Sequence, residues 1–344
     1  MSTAAQSKRG VQALNEALHA IFAERDDVVL LGEDVLDPYG GAFKVTAGLS
    51  EAYPDRVLTT PISEASLFGV AAGMALRGQR PILEIMFGDF VALGLDQVVN
   101  GISKFREMYD DQVTVPLVVR TPMGARRGYG PTHSQSLEKL FLGIPNIVVV
   151  AASECHDVGA LLRTAVGDER PVFFVENKLL YGRTIRRPED GHIGELAVRE
   201  SGDPYPALTF SATDFSEGTA TIVTYGGMLP IVLDAVTELV LEHELFCEVV
   251  ALSQLVPMEL DTVLESVART GALVTAEEGT LTGGFGAEIA ARVQEAAWSD
   301  LRAPVQRIAA RDGIIPSARP LEDAMLPSVE DVVGAVMSLE GARQ

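Results

Sequence analysis

Short apolar runs rich in Val, Ile and Leu punctuate the first half of the chain, at Val28–Leu31, Pro81–Met86, Pro116–Val119, Ile147–Ala151 and Pro171–Val175. Their length and branched side chains predict strands buried on both faces. Between them, Val11–Ala23, Ser63–Leu76, Leu95–Met108 and Val158–Val166 carry apolar positions at helical spacing. Strand and helix alternate, which predicts βαβ units and a parallel sheet covered by helices. From Arg186 to Thr219 the pattern lapses into Pro, Gly, Asp and Ser, as in Arg187-Pro188-Glu189-Asp190-Gly191 and Ser201-Gly202-Asp203-Pro204, which reads as a linker or long surface connection. A second α/β pattern then begins. Its strands are Ala220–Thr224, Cys247–Leu252, Ala272–Ala276 and Val305–Ile308, and its helices Leu229–Leu241, Leu260–Ala268 and Ala287–Ala297. The organisation expected is a first domain over 1–190, a linker over 191–218 and a smaller α/β domain over 219–344.

Composition sharpens this picture. The 344 residues suit two domains, and 47% hydrophobic against 22% charged residues is the balance of a packed globular protein. A formal net charge of −21, from 48 acidic and 27 basic side chains, repels nucleic acid and anionic lipid. Cys155 and Cys247 are too few and too separated for a disulfide framework or a cysteine zinc site. The expectation is a cytoplasmic protein with reduced thiols, since no apolar run reaches the length of a bilayer span and Met1–Gly10 lacks an apolar export segment.

Candidate chemistry begins at Thr59-Thr60-Pro61-Ile62-Ser63-Glu64. Ser63 is placed to cap the following helix, and Glu64 falls in its first turn, where the helix dipole favours a carboxylate. Taken alone, Glu64 is an ordinary first-turn acid. Its context is richer: Gly69, Ala71, Ala72, Gly73 and Ala75 give the helix a small-residue surface suited to close approach by another backbone or a flat ligand. The next strand leads into Glu84-Ile85-Met86-Phe87-Gly88-Asp89-Phe90, with Met86 and Phe90 on one wall. A Gly-rich loop, Gly124-Ala125-Arg126-Arg127-Gly128-Tyr129-Gly130-Pro131, delivers Thr132-His133-Ser134-Gln135-Ser136. A carboxylate, apolar walls and a loop-borne histidine are the ingredients of a site. His133 by itself reads more often as a structural loop histidine.

These residues carry a resemblance over nearly the whole chain. With Gly32-Glu33-Asp34-Val35, Gly40-Gly41-Ala42-Phe43, Thr60-Pro61-Ile62-Ser63-Glu64, Asp96-Gln97, His133-Ser134-Gln135-Ser136, Glu176-Asn177-Lys178-Leu179-Leu180-Tyr181, Glu277-Glu278-Gly279, Gly283-Gly284-Phe285-Gly286-Ala287-Glu288 and Leu326-Pro327-Ser328-Val329-Glu330-Asp331, the sequence resembles the β subunits of pyruvate, acetoin and branched-chain 2-oxoacid dehydrogenases, relatives of the last two domains of transketolase. The fold so implied is a thiamine-diphosphate-binding, pyrimidine-type parallel-sheet domain followed by a smaller transketolase C-terminal-like α/β domain. The activity implied is oxidative decarboxylation of a 2-oxoacid with acyl transfer to a lipoyl domain.

By this resemblance Glu64 is the carboxyl that hydrogen-bonds pyrimidine N1′ of thiamine diphosphate and promotes the imino tautomer that deprotonates the thiazolium carbon. Ile62, Met86 and Phe90 wall the pyrimidine, and His133 lies near the reacting centre, to bind the substrate carboxylate or assist transfer to the lipoyl group. Branched-chain enzymes usually carry Gln at position 86 and Tyr at position 90, so Met86 and Phe90 point toward the pyruvate or acetoin type. Backbone carbonyls of Ala165, Asp168 and Arg170 align with a monovalent-cation (K+) site of some relatives. The Gly-Asp-Gly and following Asn that hold Mg2+ and diphosphate in the family have no counterpart here, and Asp312-Gly313 is followed by no asparagine. The resemblance therefore implies a cofactor shared with a separate α subunit in an α2β2 heterotetramer that delivers acyl groups to a lipoyl acyltransferase core. Two other readings stay open: a split transketolase-like or decarboxylating thiamine enzyme of specialised metabolism, and a non-catalytic scaffold subunit. A Rossmann dehydrogenase is disfavoured, since no strand is followed by the glycine fingerprint.

Overall fold

The computed structural model describes residues 8–341, which form two compact units, one of residues up to 123 together with 143–186 and the other of 124–142 together with the chain from 187 onward. The first is built on β1 (Val28–Gly32), β2 (Val57–Thr59), β3 (Arg80–Glu84), β4 (Val118–Met123), β5 (Val148–Ala152) and β6 (Val172–Asn177). These strands lie in the order β5-β6-β4-β3-β1-β2, every neighbouring pair parallel. β1, β4, β5 and β6 are buried along their whole lengths, as a sheet covered on both faces requires. The helices Gly10–Glu24 and Val158–Gly167 pack together, while Phe68 of the helix Glu64–Leu76 stacks on Phe173 of β6 at 6.3 Å. The connection leaving β1 goes to β2 on one side and that leaving β3 goes to β4 on the other. A switch point therefore opens between β1 and β3 at their carboxyl ends, where ligands bind in open α/β sheets.

The second unit holds β7 (His192–Ile193), β8 (Leu196–Glu200), β9 (Leu208–Ser211), β10 (Thr221–Tyr225), β11 (Glu248–Leu252), β12 (Gln254–Val256), β13 (Leu273–Thr280) and β14 (Gln306–Ala310). Its sheet runs β14-β13-β10-β11-β9-β8-β7, parallel from β14 to β11 and antiparallel from there to β7. The helices Leu229–His243, Asp261–Thr270, Phe285–Ala297 and Val329–Gly341 bury their apolar faces on it, with Val232, Val263, Val267, Val293 and Val336 inaccessible.

Two expectations are corrected here. The stretch 191–218 is no linker: it supplies β7, β8 and β9, the antiparallel edge of the second sheet. Its turn residues mark hairpins, since Ile193 pairs with Leu196 across Gly194-Glu195, with Gly194 at φ 58°. Likewise Leu95–Met108 is not one helix. A 3-10 stretch (Gly88–Gly94) leads into short α-turns at Leu95–Gln97 and Phe105–Met108, with a π-turn at Val98–Ile102 between them.

Candidate functional site

In the first unit, three segments leave the carboxyl ends of the neighbouring strands β2, β1 and β3, and each delivers candidate residues. After β2, Thr60 N donates to Gly32 O at 3.1 Å, which ties the Thr60–Ser63 turn to the end of β1. Glu64 then opens the helix Glu64–Leu76 with its side chain buried, 7% exposed. Ser63 does not cap that helix through its hydroxyl, as the sequence suggested; its Oγ donates to Ser66 Oγ at 2.9 Å. The small-residue surface divides: Ala71, Ala72 and Ala75 enter the core, whereas Gly69 and Gly73 face outward with Val70. Ile62 is 80% exposed on this chain.

After β1, Glu33 is buried beside Glu64. Burial first, and then the Glu64 charge, push the Glu33 carboxyl above its usual range, against the pull of the Ser63 backbone N–H. Glu33 Oε1 has no hydrogen-bond partner among the described residues. Two carboxyl groups thus lie close enough to feel one another beyond the ends of β1 and β2. Sequence reasoning missed Glu33 as a site residue, although its position directly beyond β1 was the available signal.

After β3, Met86 and Phe90 are half-buried. Phe90 meets Phe87 edge-on at 5.9 Å, Phe87 meets Phe43 at 6.4 Å, and Phe43 stacks on Tyr181 at 4.7 Å. This aromatic wall is backed by a buried ionic network. Arg120, 2% exposed, donates from Nε and Nη2 to Glu176 Oε1 and Oε2 at 2.8 and 2.9 Å and from Nη1 to Glu84 Oε2 at 2.9 Å. Tyr181 Oη donates to Glu176 Oε2 at 2.5 Å, and Ala42 N donates to Glu84 Oε1 at 2.7 Å. A Cβ on Gly41, at φ 72°, would come 2.6 Å from Glu84 Oε1, so the Gly40-Gly41 turn lets the chain pass directly over the network.

His133 belongs to the second unit. Its Nδ1 lies 2.9 Å from Thr132 Oγ1. In the same unit, Tyr225 Oη donates to Glu138 Oε1 at 2.8 Å and lies 3.3 Å from Glu277 Oε2, while Glu277 accepts the Phe285 and Gly286 N–H groups. Burial pushes the Glu138 carboxyl up to about 7, and that of Glu277 also upward.

Around the carbonyls of Ala165, Asp168 and Arg170, where the resemblance implies a cation site, protein donors already reach two of the three. Arg80 Nη1 donates to Val166 O and Asp168 O, each at 2.9 Å, and Ala165 O accepts Asp168 N at 3.3 Å. Among the described residues, no group of three or more His, Cys, Asp or Glu side chains is set to hold a metal ion.

Comparison with known proteins agrees with this layout. Residues 8–184 match the transketolase pyrimidine binding domain and residues 214–332 the transketolase C-terminal domain. The chain is 37% identical to the pyruvate dehydrogenase E1 component subunit beta of Rickettsia bellii, over 94% of this chain and 96% of that protein. The chain belongs to this E1 beta-subunit family. Another relative of the beta subunit is the acetoin:2,6-dichlorophenolindophenol oxidoreductase subunit beta of Cupriavidus necator, 35% identical over 94% of each chain. Among solved structures, a split gene transketolase described as an inactive beta4 tetramer shares the fold, with a TM-score of 0.74 and 24% identity over 98% of this chain and 99% of that one.

Proposed function

We propose that this beta subunit is half of a thiamine-diphosphate-dependent dehydrogenase that oxidatively decarboxylates a 2-oxoacid of the pyruvate or acetoin type and passes the acyl group to a lipoyl domain. The observation that carries the reading is the buried Glu64 beyond β2, with only β1 between that strand and the β3 that leads to Met86 and Phe90. When bound, thiamine diphosphate would supply an acidic thiazolium carbon and a sink for the electrons of decarboxylation. Glu64 would hold its carboxyl against the pyrimidine ring and move a proton there, while burial raises the carboxyl of Glu33 beside it. Met86, Phe90 and Ile62 exclude water from the ring, and His133 handles the substrate carboxylate or the acyl acceptor. The diphosphate and its Mg2+ belong to an α chain, with which this one assembles as α2β2 around a lipoyl acyltransferase core.

Glu64→Gln keeps size and burial but withdraws the proton-sharing carboxyl. In the reconstituted complex, 2-oxoacid-dependent dye reduction is expected to fall at least a hundredfold, on the order of what general acid–base groups contribute, with folding and α-chain pairing unchanged. Wild-type turnover by this variant would remove Glu64 from the mechanism.

A further inference from the structure

The loop that carries His133 cannot hold itself in place by regular hydrogen bonding. Within seven residues it takes left-handed backbone conformations at Gly124 (φ 95°), Arg126 (65°), Gly128 (70°) and Gly130 (79°). Buried amides in such a loop need acceptors from elsewhere. Both acceptors come from far along the chain. Ala125 N donates to Glu278 Oε1. Arg126 N donates to Glu322 Oε1 at 2.9 Å and Gly128 N to Glu322 Oε2 at 3.1 Å, so one carboxylate takes two amides that flank Arg127.

Glu322 is itself fully buried, 0% exposed, in the short helix Arg319–Asp323. The Arg126 guanidinium donates to Pro327 O just beyond that helix. A Cβ on Gly130 would come 2.4 Å from Ser317 Oγ, so the loop is seated against the segment before the helix as well. His133 follows three residues later, its N donating to Gly130 O at 3.4 Å. Charge-assisted bonds to backbone N–H groups are roughly twice as strong as neutral ones, and here they fix the register of the histidine-bearing chain.

We infer that Glu322 is a positioning residue for the reaction: its carboxylate binds the amides of Arg126 and Gly128 and thereby sets where His133 stands. This rests on the reading of His133 as a group that handles substrate. Glu322→Gln retains one accepting oxygen and turns an NH2 toward the other amide, so that amide loses its acceptor.

The test compares wild type, Glu322→Gln, His133→Ala and the double variant in the complex with the α chain. It measures kcat and KM for the 2-oxoacid, thiamine diphosphate affinity by fluorescence quenching, and thermal unfolding. Expected is a fall in kcat/KM of roughly ten- to hundredfold for Glu322→Gln, the cost of misplacing a reacting group by about 1 Å. Cofactor affinity should be unchanged, and the double variant should be no worse than His133→Ala alone. Wild-type kcat/KM for Glu322→Gln beside a crippled His133→Ala overturns the inference and leaves the role of His133 standing. Full turnover by His133→Ala removes that role and this inference with it. Losses that simply add in the double variant, or weakened cofactor binding, reduce Glu322 to a structural part. If Glu322→Gln does not fold, Glu322→Asp, which keeps the buried charge and withdraws it by one methylene, is read by the same criteria.

Discussion

Glu138 is the residue whose protonation should be visible in the stability of the second unit. Its folded value of about 7 lies above the ordinary carboxylate value, because burial penalises the charged form. The folded chain therefore holds a proton that the unfolded chain has already released between pH 4.5 and 7, and stability falls as pH rises through that window. Some 2.5 pH units correspond to about 3 kcal/mol at most. Glu138→Gln is expected to flatten the decline, and thermal unfolding of both proteins at pH 5 and 7.5 measures it; parallel declines would place the titration elsewhere. At this scale the family motifs in the sequence single out Glu64, Met86, Phe90 and His133 as candidates. It did not show that Glu33 would sit beside Glu64, because the two are brought together by the β1–β2 pairing, or that Tyr225 and Glu277 would lie against Glu138.

Among elements, the central strands β4, β3 and β6 owe their fixed spacing to the Glu84–Arg120–Glu176 network as well as to their apolar runs. Arg120→Met would strand two buried carboxylates without a cation. A loss of roughly 3–5 kcal/mol in chemical denaturation of the chain is expected. Replacing Glu84 and Glu176 by apolar residues in the same variant should recover much of it, and no recovery would show that the ions hold the fold in a way packing cannot. Local periodicity was a good guide to strand and helix here: β1 and the helix Glu64–Leu76 stand within a residue of their expected places. It failed at Leu95–Met108, where a π-turn at Val98–Ile102 separates two short α-turns. It failed again at β7 to β9, whose short pairings read from composition as linker.

For the whole molecule, the exposed Ile62 and the exposed face of the helix Glu64–Leu76, including Val70, fit a site completed by another chain. The purified beta subunit alone should bind thiamine diphosphate weakly and reduce no artificial acceptor with any 2-oxoacid, whereas co-expression with its α chain should restore both. Turnover by the beta subunit alone would relocate the diphosphate site onto this chain. No helix among the described residues is long and apolar enough to cross a membrane. What the sequence by itself determined is the alternation of buried strands and helices, the division into two α/β patterns and the motif residues of the family, because burial periodicity and turn chemistry are local properties of the chain. Tertiary structure alone decided the strand order that opens the switch point between β1 and β3, the carboxyl pair Glu33 and Glu64, the guanidinium of Arg80 among the carbonyls of Val166 and Asp168, and the seating of the His133 loop on Glu278 and Glu322. Each of these depends on charges and amides meeting across as many as 196 residues, and the strength of such a meeting is set by distance and burial, which no local pattern encodes.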